Sequence, residues 1–299
     1  MKTKEEKVFS VFSHVFMVIL SLLAIIPMIL MTIASFTDNT TLLKNGYSFF
    51  PEKWSTYAYE WIMTSNGGMI LNAYGVSFVL TVVGVSVSLT ITTCLAYGLA
   101  KKQLPFRGIL TFYVFFTMLF NGGLVPTYIN YTTIFHIKDT FFGLLIPNLL
   151  MNAFNVLLMK SYFTTNVPEE ILEAAYIDGA GEIRTMFSVA LPMAKPILAT
   201  IAMFVGLAYW NDWANGYVYI VKRTDLFSIQ NLLNRLMQNI QALVQNASNT
   251  SAVNEGLSKI PSATVRMAMA TLGVLPIVVI YPFIQKNFVK GITLGGVKG

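Results

Sequence analysis

Asp212 stands out among the residues able to do chemistry. It lies in a stretch apolar enough to cross a membrane, where an ionised aspartate near a helix centre costs about 2.5 to 3.5 kcal/mol. Such a group is expected to face protein or water. Tyr209, Asn211 and Asn215 lie within one helical turn of it, and Asn148, Asn152 and Asn155 recur at about one-turn spacing in an earlier apolar stretch. Amides and a carboxylate so placed suit a neutral, polyhydroxylated solute, because they offer donors and acceptors without demanding a counter-charge. The same groups also serve to hydrogen-bond neighbouring helices in a membrane bundle, and the sequence leaves both uses open. Other chemistry is poorly provided for. No Gly-x-x-x-x-Gly-Lys-Ser/Thr loop is present to cradle ATP phosphates. The single cysteine, Cys94, reads as a small packing residue, and His14 and His136 stand alone, so no metal site is expected.

The elements that must carry these residues are membrane helices. Charged residues make up 11% of the 299 and apolar ones 55%, against about 25% charged in soluble domains. Runs long enough to span a hydrocarbon core, which takes about 20 residues, are expected near Val8–Ser35, Ile70–Ala100, Ile109–Tyr131, Phe141–Phe163, Ile197–Val221 and Ala263–Ile284. The first follows Lys2, Lys4 and Lys7 but is too long for a secretory signal and lacks a small-x-small cleavage site. It is expected to be retained. With the N-terminus inside, Lys101, Lys102, Arg107, Lys160, Arg184, Lys195, Lys286, Lys290 and Lys298 join those three lysines on the cytoplasmic face, giving it the larger share of the 20 basic residues. An even helix count returns the C-terminus inside. Orientation thus accounts for the net charge of +6, and no nucleic-acid motif is present.

Between two of these runs lies a polar, glycine-bearing insert, EAAYIDGAGEIRTMFSVALPMAKP, residues 173–196. Glu169, Glu170 and Glu173 follow Pro168 and favour a helix N-terminus. Gly179 and Gly181 interrupt that helix with a turn, and Pro192 and Pro196 bracket the return to the bilayer. The order Glu173-Ala174-Ala175, three residues, Gly179, nine residues, Val189, one residue, Leu191-Pro192 resembles the EAA motif of importer-type ABC permeases. That resemblance implies a type I ABC importer permease fold, all-α and polytopic with six transmembrane helices. It also implies a cytoplasmic loop at 164–196 whose Glu173, Ala174, Ala175, Asp178, Gly179, Gly181, Leu191 and Pro192 dock a separate ATPase. Glu173 would pair with a basic residue there, Ala174 would allow close approach and Gly179 would aim the helix.

The resemblance reaches further. Ala96-Tyr97-Gly98-Leu99-Ala100, the basic pair after it and Phe106-Arg107-Gly108 look like the end of the second helix in maltose-type carbohydrate permeases. Trp210-Asn211-Asp212-Trp213 and the tail from Phe288 to Gly299 look like two further signatures of that group. Asn121 to Tyr128 resembles permeases for complex oligosaccharides in Gram-positive bacteria. The implied layout is an N-terminal helix and extracellular segment over 1–70, a permease core over 71–286 and a cytoplasmic tail over 287–299. The implied partners are a second homologous permease subunit, two ATP-binding subunits that use ATP and Mg, an extracellular substrate-binding lipoprotein and a carbohydrate. This chain would bind no cofactor, catalyse nothing itself and sit in a bacterial plasma membrane. A permease for peptides or amino acids would share the docking loop, and an ion-coupled transporter would need more membrane carboxylates than Asp212.

Two external segments complete the reading. Residues 36–69 carry Trp54, Tyr57, Tyr59 and Trp61, which suit a membrane interface or, less commonly, stacking on sugar rings. Ile229, Leu232, Leu233, Leu236, Ile240, Leu243 and Val244 recur at helical spacing and predict one amphipathic helix between Lys222 and Ser262.

Overall fold

The computed structural model describes residues 3–248 and 262–296. Among the described residues the chain is all-α, and its one β-type pairing there is an isolated bridge between Thr37 and Trp54. The helices are α1 (Lys4–Ser35), α2 (Asn39–Asn45), α3 (Tyr57–Ala100), α4 (Arg107–Leu119), α5 (Leu124–Ile129), α6 (Phe141–Leu145), α7 (Ala153–Asn166), α8 (Glu169–Ile177), α9 (Glu182–Thr185), α10 (Leu191–Met193), α11 (Lys195–Asn211), α12 (Ala214–Tyr219), α13 (Ile229–Ser248) and α14 (Ser262–Gly296). Two compact units result, Met1–Ile70 with Leu233–Pro276 and Leu71–Leu232 with Ile277–Gly299.

In the first unit, α1 opens on a capping box in which Thr3 and Glu6 satisfy each other's backbone N–H groups. Its apolar side chains from Val8 to Ile29 are exposed on every face, as a helix surrounded by lipid requires. The connector that follows is fixed by polar bonds. Ser35 and Tyr59 share a hydrogen bond of 2.7 Å, Phe36 stacks on the Tyr59 ring and the Ser55 N–H donates to the Phe36 carbonyl. The Asn39 side chain accepts from the N–H groups of Ala263 and Thr264 in the first turn of α14. The amphipathic helix expected beyond Lys222 is α13. The last helix runs on to Gly296, so residues 287–296 of the expected tail continue α14, and 297–299 lie outside the described residues.

The second unit departs from six unbroken spans. Among the described residues three helices are continuous and apolar enough to cross a membrane, over Val8–Ser35, Gly67–Ala100 and Ser262–Pro282. Two bent pairs raise the number to five: Arg107–Leu119 with Leu124–Ile134 at 112°, and Glu182–Met193 with Lys195–Asn211 at 83°. The count of six is not reproduced, because the expected run Phe141–Phe163 is divided between α6 and α7. Pro147 has no N–H to continue the helix, and Asn148 takes a left-handed φ of +61°. The run expected over Ile109–Tyr131 breaks at Asn121-Gly122-Gly123, and the one over Ile197–Val221 breaks at Asp212-Trp213. Apolar composition registers none of these breaks. The run expected over Ile70–Ala100 is the span Gly67–Ala100, carried by a helix α3 that begins earlier, at Tyr57, and extends for 44 residues, about 66 Å at 1.5 Å per residue. Cys94 lies on its exposed face rather than in packing.

Packing here joins α4 to α7, α7 to α11 and α6 to α12. Asp139, in the connector before α6, accepts the N–H groups of Val221, Lys222 and Arg223 at 2.6, 2.7 and 3.4 Å. Three donors that lack helix partners are thereby held by one carboxylate. Burial alone would raise the Asp139 pKa, and these three bonds outweigh it and lower it.

Candidate functional site: a docking loop and a polar helix break

The insert folds as helix, turn, helix. Glu169 and Glu170 occupy the first turn of α8, where the helix dipole favours acids. The C-terminus of α8 is a full Schellman closure, with Gly179 N–H donating to Tyr176 O at 3.0 Å and Ala180 N–H to Ala175 O at 2.9 Å. Gly179 sits at φ +79° with open space beside it, so backbone conformation and not crowding selects glycine there. Asp178 caps α8, Gly181 precedes α9, and Leu191 with Pro192 forms α10 just before the 83° bend into α11.

No side chain of α8 is buried. Glu173 and Ala174 are exposed and Ala175 is half-buried, and Glu173 forms no ion pair among the described residues. The sequence reading missed the apolar side chains beside them: Ile177 is 87% exposed and Ile183 74%, and Ile171 and Phe187 are exposed too. Bulky apolar residues in a loop outside every membrane run were the available clue, since such a patch marks an interaction surface.

The sequence also missed how the loop is held. Lys101, just past the end of α3, bonds the Glu182 carboxylate and donates to the Tyr176 hydroxyl at 2.5 Å. Its ammonium lies 4.8 Å from the Tyr97 ring centre and 5.1 Å from that of Tyr176. Burial opposes the Lys101 charge, yet Glu182 and Tyr176 outweigh it and raise its pKa. Glu182 is shifted down, since Lys101 and Tyr176 overcome the opposing effect of burial. Beside this pair, Lys102 bonds Glu169 at the start of α8. The two lysines floor a cleft of about 630 Å³ that Tyr97, Glu173 and Tyr176 also line.

The polar residues around Asp212 gather at the breaks. The buried Tyr209 hydroxyl donates to Leu145 O at 2.7 Å, and the buried Asn215 amide donates to Pro147 O at 2.8 Å. Asp212 ends α11, and its carboxylate accepts the N–H groups of Ala214 and Asn215 at 3.1 and 3.3 Å at the start of α12. Asn211 and Asn148 are exposed, and Asn152 caps α7 by accepting from Asn155 N–H at 3.2 Å. Asn148, Asn152 and Asn155 therefore do not form the one-turn ladder expected on a single helix, because Asn148 lies in the break and only Asn155 is inside α7.

A family model of the binding-protein-dependent transport system inner membrane component matches residues 6–294. The chain is 32% identical to Protein LplC of Bacillus subtilis (strain 168), over 99% of this chain and 97% of that one. It is also 32% identical to the polygalacturonan/rhamnogalacturonan transport system permease protein YtcP of the same organism, over 99% of this chain and all of that one. Among solved structures, a bacterial ABC transporter involved in the import of the acidic polysaccharide alginate has a chain that superposes with a TM-score of 0.78 at 26% identity, covering 96% of this chain and 99% of that one. This chain belongs to the family of inner membrane components of binding-protein-dependent transport systems.

Proposed function

We propose that this chain is one of two membrane subunits of an ATP-driven importer that carries an oligosaccharide into the cell by alternating access. The docking loop carries this reading: an acidic helix with no buried side chain, closed by Gly179, beside exposed Ile177 and Ile183, has the form of a surface that a second protein covers. ATP and Mg would be used by two partner subunits docked there, one on this chain and one on a homologous permease. An extracellular lipoprotein would deliver the sugar. Both termini face the cytoplasm in this reading. The six crossings are the three continuous helices, the bent pair Arg107–Leu119 with Leu124–Ile134, the divided α6–α7 segment, and α11 with α12, which follow the docking loop.

Sugar is preferred to peptides or amino acids because Trp210-Asn211-Asp212-Trp213 resembles carbohydrate permeases and because two of the relatives named above belong to a polygalacturonan/rhamnogalacturonan transport system and to an alginate importer. Uptake of a panel of labelled oligosaccharides by cells with and without the gene, with recovery of an ATPase on the tagged protein, tests the reading. Loss of uptake of one glycan together with ATPase recovery is the expected result. ATPase recovery without a sugar defect would refute the carbohydrate assignment, and neither a sugar defect nor ATPase recovery would refute the importer.

A further inference from the structure

We propose that Lys101 is the positioning residue that ties the docking loop to the membrane-spanning helix α3, so that movement of the loop on the ATPase is delivered to α3. This rests on the docking function proposed above.

Helix α8 has no buried side chain to anchor it, and its link to α7 runs through two residues, Val167 and Pro168, so a side-chain tie adds a second route into the membrane. Lys101 supplies one route to both halves of the loop, because its ammonium reaches Tyr176 on α8 and Glu182 on α9. The two partners lie on opposite sides of the Gly179 turn, so a single cation clamps the turn and joins it to α3. The Lys101 side chain is 19% exposed and that of Glu182 is 62% exposed, which leaves the lysine end of the pair sheltered from solvent screening. Lys102, paired with Glu169 at the other end of α8, keeps the helix from pivoting about that clamp.

From Lys101 the tie continues into regular helix. Along α3, about 24 Å from its end at 1.5 Å per residue, Gly84 lies so close to the Tyr209 ring that a Cβ there would stand 2.4 Å from it. Tyr209 is bonded to Leu145 and lies three residues before Asp212. A displacement of α3 at Lys101 is thus carried by hydrogen-bonded helix to the residues at the polar breaks. Interfaces packed this closely respond by moving as units rather than by bending.

The test uses the complete importer in proteoliposomes, with labelled oligogalacturonide as the transported probe and ATP hydrolysis measured in the same vesicles. In Lys101→Met the side-chain stem remains and the charge is lost. The variant is expected to retain the ATPase, while probe carried per ATP hydrolysed falls about fivefold or more, the low end of couplings between distant sites. Lys101→Arg should keep most of the ratio, and Lys101→Glu combined with Glu182→Lys should recover it relative to either single change. A wild-type ratio in Lys101→Met, or no recovery in the charge-exchanged pair, overturns the tie. If Lys101→Met does not assemble, Glu182→Gln on the exposed partner decides, and an unchanged ratio there overturns the tie equally. Wild-type vesicles that hold no ATPase would instead refute the function on which the tie rests.

Discussion

Adding one methyl group at Gly84 should destabilise the protein far more than adding one at Gly206. A Cβ at Gly84 would stand 2.4, 2.5 and 2.6 Å from three carbons of the Tyr209 ring. Reaching an ordinary contact of 3.4 Å requires about 1 Å of movement by the ring or by the two helices. The ring is poorly able to yield, because Tyr209 is 1% exposed and its hydroxyl is bonded to Leu145 O at 2.7 Å. If the helices part, the cost is that of overpacking, about 1 to 3 kcal/mol. If the ring swings away, a carbonyl in the break loses its donor, at about 1 to 3 kcal/mol. Gly84→Ala should therefore cost about 2 to 4 kcal/mol once part of each is incurred. In Gly206→Ala the new methyl group meets Val85 at 3.5 Å, and the gain in helix propensity offsets what little is lost. Thermal unfolding of the two purified variants in detergent, followed by intrinsic fluorescence, compares them directly. Equal midpoints would refute the close approach of α3 to Tyr209.

Three further outcomes are expected. At Gly179, held at φ +79° in open space, alanine should strain the turn by about 1 to 2 kcal/mol and asparagine by less, so ATPase recovery on the tagged protein should rank glycine, asparagine, alanine, with arginine abolishing it and membrane insertion intact in all. For Asp139, whose pKa is lowered because three backbone N–H bonds outweigh burial, the stabilisation is complete above the ordinary carboxylate value of about 3.9 and is lost as pH falls through the lower folded value. The unfolding midpoint should therefore drop more steeply with acidity in the wild type than in Asp139→Asn. Asp212→Asn preserves an acceptor for Ala214 and Asn215 and should keep the midpoint, whereas Asp212→Ala should lower stability by about 1 kcal/mol. An uptake defect in the asparagine variant at unchanged midpoint would assign the carboxylate to the pathway.

What was legible in the sequence is what periodicity and local spacing encode. Val8–Ser35 and α13 emerge where expected because long apolar repetition overrides weak local preferences. The turn at Gly179 was legible because glutamate, alanine and glycine each have a backbone reason to be where they are. The lysine clamp was not, since 75 and 81 residues separate Lys101 from Tyr176 and Glu182. Nothing local distinguishes a clamping lysine from a positive residue at a membrane boundary. Breaks were missed for a different reason: Pro147 and Asn148 sit among residues so apolar that composition describes them as one span.

The breaks also sort the residues first considered for a sugar pathway. Backbone groups that leave a helix inside a bilayer have no water to turn to, and each unsatisfied one costs several kcal/mol, so irregular backbone survives there only where protein or a wet cavity receives it. Around Pro147 the receiving groups are Tyr209 and Asn215, whose donors go to Leu145 and Pro147 carbonyls. Their type and position are thus accounted for by the break in the α6–α7 segment, before any solute is considered. Asn152 is likewise engaged as a cap. Asn148 and Asn211 are exposed as Asn152 is, but neither side chain caps a helix, and the Asp212 carboxylate takes two backbone N–H groups. A solute moving past these breaks would meet one carboxylate and two amides, a set that donates and accepts hydrogen bonds to hydroxyl groups and offers no cation to a charged sugar. If the cargo is acidic, as it is for the alginate importer that this chain resembles, its charge would have to be met by groups outside this set, and Asp212→Asn should then improve rather than impair its passage.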